Sequence, residues 1–376
     1  MRELIILGST GSIGRQTLEI INEYNDIKIV ALACGHNIAL LKEQIKKYKP
    51  LYVSTIERHE ELENEFKDIT FYYGEEGLNK LSLLDRNADL LNCLVGSAGL
   101  LPTLNAIKTH KKVFLSNKET LVIGGELVKE YLKKYNGVLY PIDSEHAGLW
   151  ELIDKYGKDN INSLTITASG GAFRDTPLEL LPLMKKEDAL KHPNWTMGPK
   201  ITIDSATMMN KVFELIEAHY LFDMPMDKIN ALINRESIVH AMVTLKDNTT
   251  KVAIGNVSMR NPILRALYYP EIRYEVKDDD YSSYKFEILD DNKYPSINLA
   301  KIVMDKGGLY PTILNAANEA AVNLFLNDKI KFTMIYEINK LSLERFTTNE
   351  ALTISNILKY DKIVKDWVFN TYTKED

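Results

Sequence analysis

Cysteine is nearly missing from this chain: two in 376 residues, Cys34 and Cys93. Both sit in apolar, strand-like runs, which reads as small buried hydrophobes in a reducing compartment. Cys93 has no basic neighbour, and a reactive thiolate needs an electropositive setting, so thiol catalysis is not expected. An excess of positive charge is missing too. Lys and Arg total 46 against 52 Asp and Glu, a net charge of -6 with no long basic run. General nucleic-acid binding, which needs a positive face, is therefore disfavoured, although a phosphorylated small ligand needs only local charge. No stretch approaches the roughly 18 uninterrupted apolar residues of a membrane span. Met1-Arg2-Glu3 leads at once into Leu4–Leu7, unlike a charged leader with a cleavage site. The expectation is a cytoplasmic protein with neither membrane nor nucleic acid as partner.

What is there is the composition of an ordinary globular protein, 45% hydrophobic and 26% charged. It is too long for one core of usual size, so two or three domains are expected. Over the first 140 or so residues, short apolar runs read as buried strands: Leu4–Leu7, Ile27–Ala33, Leu51–Ser54, Leu91–Val95, Val113–Leu115 and Val138–Ile142. Segments with helical spacing, such as Gln16–Glu23 and Ala39–Lys47, separate them. Such alternation predicts βαβ units and a doubly wound parallel sheet. Beyond Asp143, strand candidates cluster (Ser163–Thr167, Ile229–Ile233, Ile238–Leu245, Lys251–Ile254), with a helix expected over Ala206–Phe222, which suggests an α+β unit. An acidic, turn-rich stretch holding Asp278-Asp279-Asp280 reads as a connection. Helical periodicity then returns, as at Leu314–Leu326 and Met334–Arg345.

Directly after the first strand comes Gly8-Ser9-Thr10-Gly11-Ser12-Ile13-Gly14, followed by a helix. Glycines in that position let the backbone turn tightly against a pyrophosphate, while the helix N-terminus offers free N–H groups and a positive dipole end. A ligand-free tight turn is the plainer alternative, but the strand–glycine–helix context favours a Rossmann-like dinucleotide site. An NAD site usually has an acid at the end of the second strand for the ribose hydroxyl. This one ends Cys34-Gly35-His36-Asn37, whose side chains can donate to a 2′-phosphate, and NADPH is expected.

A second group of residues points to chemistry. In Ile142-Asp143-Ser144-Glu145-His146, continued strand geometry would aim Asp143 and Glu145 to one side, at the carboxyl end of a parallel sheet. The competing reading makes the acid an N-cap of the next helix. In Asp204-Ser205 through Glu217, an N-cap is expected to start a helix with Asn210, Glu214 and Glu217 on one face beside Lys211. For an isolated helix that would be a solvated face. Together with Asp143 and Glu145, however, it supplies a third carboxylate for a hard, all-oxygen site suited to Mg²⁺ or Mn²⁺, and Lys, Asn and Ser for a phosphate. Ser169-Gly170-Gly171 is a plausible anion-binding turn, and His192 to Gly198 holds Trp195 in a loop that is either core or lid.

With these segments assembled, the chain resembles the 1-deoxy-D-xylulose 5-phosphate reductoisomerase family. The match also runs through Gly99-Leu100-Leu101-Pro102-Thr103-Leu104, Asn117-Lys118-Glu119, His192-Pro193-Asn194-Trp195 and Leu314-Asn315-Ala316-Ala317-Asn318-Glu319, in family order over nearly the whole chain. The resemblance implies an NADPH-dependent, metal-dependent oxidoreductase and isomerase that converts 1-deoxy-D-xylulose 5-phosphate to 2-C-methyl-D-erythritol 4-phosphate for non-mevalonate isoprenoid synthesis. It implies a homodimer, metal ligation by Asp143, Glu145 and Glu214, and electrostatic assistance by Lys118. Substrate would be held by Lys118, Ser144, Glu145, Ser169, His192, Ser205, Asn210, Lys211 and Glu214, under a flap bearing Trp195 and Met197. NADPH would meet Thr10, Gly11, Ser12, Ile13, Gly35, His36, Asn37, Asn117, Glu119 and Gly198. Many relatives carry a basic residue where His36 stands. The domains expected are a cofactor domain over 1–142, a catalytic domain over 143–268 with a flap near 186–198, a linker over 269–295 and a small helical domain over 296–376. The rival readings are another two-domain NAD(P)-dependent dehydrogenase, and a non-catalytic NADPH-binding relative.

Overall fold

A computed structural model describes residues 1–274 and 284–373; Asp278-Asp279-Asp280 lies outside the described residues. The chain opens with β1 (Arg2–Leu7), α1 (Ser12–Tyr24), β2 (Ile27–Cys34), α2 (Ile38–Tyr48), β3 (Tyr52–Thr55), α3 (Glu60–Glu65), β4 (Thr70–Tyr73) and α4 (Gly74–Ser82). It continues with β5 (Ala88–Asn92), α5 (Leu100–Lys108), β6 (Val113–Leu115), α6 (Lys118–Tyr135), β7 (Leu139–Pro141) and α7 (Ser144–Tyr156). Next come β8 (Ile161–Ala168), α8 (Lys186–Ala189), α9 (Pro199–Ala206), α10 (Met209–Phe222), β9 (Ile229–Ile233), β10 (Val239–Leu245) and β11 (Thr250–Ile254). Five helices close the chain: α11 (Arg260–Tyr268), α12 (Leu299–Lys306), α13 (Tyr310–Leu326), α14 (Met334–Arg345) and α15 (Ile354–Tyr372).

The described residues fall into two compact units. The first holds Met1–Thr120, Glu126–Asp143 and, of its last stretch, 259–274. Its seven strands pair in parallel in the order β4-β3-β2-β1-β5-β6-β7. β2 reads Ile-Lys-Ile-Val-Ala-Leu-Ala-Cys and is buried at every position but Lys28, the near-continuous apolar run of a strand covered on both faces. Succession in the sheet reverses between β1 and β5, so a crevice forms beyond their carboxyl ends. The glycine turn leaves β1 at that point. Six of the seven strands match runs read from the sequence. β4 was not expected, because none of Thr-Phe-Tyr-Tyr is fully buried and no apolar pattern marks it. The run expected over Leu91–Val95 is a strand only to Asn92.

The second unit holds Leu121–Gly125, Ser144–Ser258 and the described residues from 284 onward. Its sheet runs β11-β10-β8-β9, with β8 and β9 parallel and β10 antiparallel to both β8 and β11. α10 is buried nearly all round, including Lys211, Glu214 and Glu217, so its polar residues do not form a solvated face. The helix expected over Ala206–Phe222 is α10 from Met209 onward, while Ala206 ends the separate helix α9. Met208 adopts φ +63°, a left-handed kink between α9 and α10, and Asp204 lies inside α9 rather than capping a helix. The C-terminal region is helical as expected, and α13, α14 and α15 share one apolar core with Ile203 and Ala206 of α9. No described helix is long and apolar enough to cross a membrane.

One position ties the glycine turn to α1. A Cβ on Gly14 would stand 2.4 Å from Gly8 O and 2.7 Å from Ser9 Cα, so only glycine lets helix and turn approach this closely. Gly14→Ala is expected to cost roughly 1–3 kcal/mol, the usual range for overpacking. A fall in the thermal midpoint checks this; an unchanged midpoint would mean the turn relaxes freely.

Candidate active site

The glycine turn is held from below. Ser9 Oγ donates to Gln44 Oε1 at 2.7 Å, and Gln44 Nε2 donates back to Ser9 O at 2.9 Å. Gln44 was not singled out from the sequence, although a glutamine between Leu41 and Ile45 on the apolar stripe of α2 is an anomaly worth reading. Gly11 caps α1 without any side-chain bond, so the first N–H groups of α1 keep their capacity for an anion. Gly11 and Ser12 are exposed and Thr10 and Ile13 half-buried, with Thr10 Oγ1 3.3 Å from Cys34 Sγ. Gly35, His36 and Asn37 are exposed beside them. Asn37 Oδ1 accepts the Leu40 N–H as the N-cap of α2, leaving the amide hydrogens as its donors.

Asn117 caps α6 in the same way. Its Oδ1 accepts from Thr120 N–H, and its Nδ2 donates to Leu94 O, Gly96 O and Glu119 Oε2, each at 3.0 Å. Asn117 and Glu119 are buried, and these bonds fix the loop after β5 against the start of α6. The next residue, Lys118, is the first of α6 and donates from Nζ to Asp143 Oδ2.

Asp143, Glu145 and Glu214 each place a carboxylate oxygen within 4.8 Å of the other two. Strand alternation does not bring the first two together. β7 ends at Pro141 and α7 begins at Ser144, so Asp143 immediately precedes the helix and Glu145 lies in its first turn. Both readings of this segment therefore meet: the acid stands where an N-cap stands, and it still converges on its neighbour. Ser144 Oγ donates to Glu145 Oε2 at 2.7 Å. On α10, Lys211 Nζ donates to Glu214 Oε2 and to Thr167 O and lies 4.0 Å from Glu145 Oε1. Asn210 Nδ2 donates to Glu214 Oε1 at 2.5 Å. Glu217 turns to another partner, with Oε2 3.7 Å from Nδ1 of the buried His146, whose Nε2 is 2.9 Å from Glu214 O. An all-oxygen donor set with one buried member fits a hard divalent ion such as Mg²⁺ or Mn²⁺.

The third group gathers around His192. Asn194 and Trp195 donate their backbone N–H groups to Nδ1 at 3.2 and 2.9 Å. Nδ1 is thus an acceptor, and the neutral ring carries its proton on Nε2, which lies 3.0 Å from Ser169 Oγ and 3.1 Å from Ser205 Oγ. Ser169 and Ser205 meet because Gly171, at φ +71°, passes so close to α9 that a Cβ would stand 2.6 Å from Ser205 O. Arg174, also unforeseen, donates to Ser169 O at 3.1 Å and to Arg235 O at 2.9 Å, shaping this turn. Asn194 is anchored to Arg235 O and Ser237 Oγ, both at 2.6 Å. Trp195 and Met197 are half-buried, while Gly198, the N-cap of α9, is exposed.

A doubly wound α/β protein with a dinucleotide-type glycine turn, and with a carboxylate cluster able to hold a hard divalent ion, is the class these features define. Family models agree along the chain: 1-deoxy-D-xylulose 5-phosphate reductoisomerase over residues 4–125, and the two C-terminal domains of that enzyme over 139–222 and 254–367. The chain belongs to the 1-deoxy-D-xylulose 5-phosphate reductoisomerase family. Relatives of that name from Listeria monocytogenes serotype 4a and Prosthecochloris aestuarii are 41% and 42% identical. The alignments cover 98% of this chain and 99% of the first relative, and 96% of both chains for the second. A crystal structure of DOX-P reductoisomerase in complex with NADPH, fosmidomycin and magnesium is 34% identical, with a TM-score of 0.93 over 99% of this chain and 98% of that one. The Zymomonas mobilis enzyme in complex with NADPH is 31% identical, with a TM-score of 0.89 over 100% and 99%.

Burial, and after it the charge of Arg174, push the pKa of His192 from 6.5 down to about 4. A base whose folded pKa is depressed favours folding while neutral. That stability is present above 6.5 and is lost as pH falls toward 4. Following the imidazole carbon-bound proton by NMR, with His192→Asn for assignment, is expected to give a midpoint near 4; a midpoint at or above 6.5 would contradict this burial.

Proposed function

We propose that this chain converts 1-deoxy-D-xylulose 5-phosphate to 2-C-methyl-D-erythritol 4-phosphate with NADPH and Mg²⁺ or Mn²⁺, in the non-mevalonate route to isoprenoid precursors. The single observation that carries the reading is the convergence of Asp143, Glu145 and Glu214 beside Lys211 in a member of this family. The proposed partition gives NADPH to the domain expected over 1–142 and substrate to 144–258 rather than to the expected 143–268, because Ile263, Leu264 and Leu267 of α11 belong to the apolar core of the first unit. The helices of 296–376 lie in the second unit and support the substrate residues.

Asp143, Glu145 and Glu214 would hold the divalent ion, which when bound supplies Lewis acidity at substrate oxygens. Lys118 and Lys211 offset the charge of those acids and fix their oxygens. Ser169, His192, Ser205, Asn210 and Lys211 bind the phosphate of the substrate, with Ser144 positioned by its bond to Glu145. The Nε2–H of His192 is a donor without being a cation, so charge attraction at that end comes from Lys211 and from Arg174, whose charge acts on His192. Trp195 and Met197 cover the substrate and exclude water. NADPH supplies the hydride; Thr10–Ile13 with the α1 N-terminus receive its pyrophosphate, and Gly35, His36 and Asn37 its 2′-phosphate. Asn117, Glu119 and Gly198 complete its contacts, Asn117 through backbone atoms because its side-chain groups are engaged elsewhere.

The reading includes a homodimer in the cytoplasm. β11 supports the dimer: among the described residues it is an edge strand of its sheet, with Val252 and Ile254 exposed, and a sheet edge is suited to pairing with another copy. A thiol-dependent dehydrogenase is the weaker alternative, because burial pushes the Cys93 thiol up to about 12 and it remains protonated. A binding-only relative would lack part of the acid set that is present here.

The test is NADPH oxidation with 1-deoxy-D-xylulose 5-phosphate and Mn²⁺ or Mg²⁺. Chelator-sensitive oxidation is expected, and NADPH binding without turnover would favour the binding-only relative. Glu214→Gln is expected to lower kcat by about a hundredfold or more, in line with loss of metal-site groups, with NADPH affinity unchanged; retained turnover would remove Glu214 from the ligand set. Lys211→Ala is expected to raise KM for the sugar phosphate by about tenfold or more, the scale of one charge-assisted bond. An unchanged KM would move the phosphate elsewhere.

A further inference from the structure

Asp204 is a carboxylate buried inside a helix, one residue from Ser205, and nothing in the proposed chemistry uses it. It is 1% exposed, a costly place for a charge unless it is paired. Its Oδ1 accepts from Asn318 Nδ2 at 2.7 Å, and its Oδ2 lies 2.8 Å from Lys200 Nζ, one turn earlier on α9. Asn318 belongs to α13, and its Oδ1 accepts from Asn339 Nδ2 of α14 at 3.1 Å. Both asparagines are fully buried. A polar chain thus runs from α14 through α13 to α9 inside an apolar core that includes Ile203, Ala206, Ala320, Ala321, Leu324 and Phe325.

Apolar contacts are non-directional, whereas the buried Asp204–Asn318 and Asn318–Asn339 bonds hold only in one rotation of α9 against α13, and a rotation that broke them would leave a buried carboxylate and amides without these bonds. The rotation of α9 matters for a specific reason. It aims Ser205 Oγ at His192 Nε2, and it sets the helix against which the Ser169–Gly171 turn closes. The N-cap of α9 is the last residue of the tryptophan loop, and its C-terminus leads through Met208 to Asn210 and Lys211.

From this we infer that Asn318 is a positioning residue for the phosphate end of the site, acting through Asp204 to fix α9 and the Ser205 hydroxyl. The inference rests on the proposed substrate reading. The helical C-terminal region then contributes to substrate affinity without touching substrate, and its contribution falls on KM rather than on hydride transfer.

The experiment is steady-state kinetics on the full-length protein together with calorimetric binding of 1-deoxy-D-xylulose 5-phosphate and of NADPH. Asn318→Ala is expected to raise KM and the dissociation constant for the sugar phosphate about tenfold, the scale of one hydrogen bond to a charged group, with kcat and NADPH affinity within about twofold. Asp204→Asn keeps an acceptor for Asn318 and is expected to stay near the wild-type KM, whereas Asp204→Ala reproduces the rise. If Asn318→Ala does not fold, Asn339→Ala removes only the outer link and is expected to raise KM in the same direction by less. Val322→Ala loosens the same core without touching the polar chain; it is expected to lower the melting point with KM unchanged. An unchanged KM in Asn318→Ala, or an equal rise in Val322→Ala, overturns the inference. Wild-type protein that neither binds nor turns over this substrate defeats the functional reading instead.

Discussion

Three carboxylates within 4.8 Å of one another repel, and much of this protein is organised around making that tolerable. At an effective dielectric of about 20, two unit charges 4 Å apart interact by roughly 4 kcal/mol. Burial removes part of the water that would screen them. Two ammonium groups offset the cost, Lys118 at Asp143 and Lys211 at Glu214. Each must come from a fixed backbone. Lys118 opens α6 just after the Asn117 cap, and Lys211 sits in the first turn of α10, three residues after the left-handed Met208. The caps, the kink and the buried polar face of α10 answer the same electrostatic demand.

The parts of the fold legible in the sequence were those that obey local rules. β2 shows its burial in its own composition, and the glycine turn follows from strand, glycines and helix in series. β4 left no trace, because an edge strand with no fully buried residue has no apolar alternation to read. The break between α9 and α10 was invisible for a different reason: Thr207-Met208 holds neither glycine nor proline, and tertiary packing holds Met208 at φ +63°. Asp204 resembled an N-cap because an acid before a serine and an apolar run usually is one. In this chain Lys200 meets it from one turn earlier on the same helix, and its other partner, Asn318, lies 114 residues away, beyond any periodicity argument.

The candidate site was legible as a set of residue types but not as a geometry. Asp143 and Glu145 were grouped by strand alternation, yet a helix start brings them together. Glu217, on the same helical stripe as Asn210 and Glu214, belongs with His146. Gln44 and Arg174 act by holding backbone turns, and such roles have no compositional signature. The asparagines are instructive in the same way. Asn37 and Asn117 each spend their side-chain oxygen on a helix N-terminus, so the two loops flanking the glycine turn are pinned by the residues proposed to line the cofactor.

The neutral His192 ring has a consequence for the proposed phosphate site. Above about pH 5 the ring no longer changes charge, since its pKa is about 4. A phosphate monoester does change charge, with a second ionisation near pH 6. In the proposed phosphate site, a change of charge in mildly acidic solution is therefore that of the sugar phosphate and not of the imidazole, and weaker binding there would trace to protonation of the ligand.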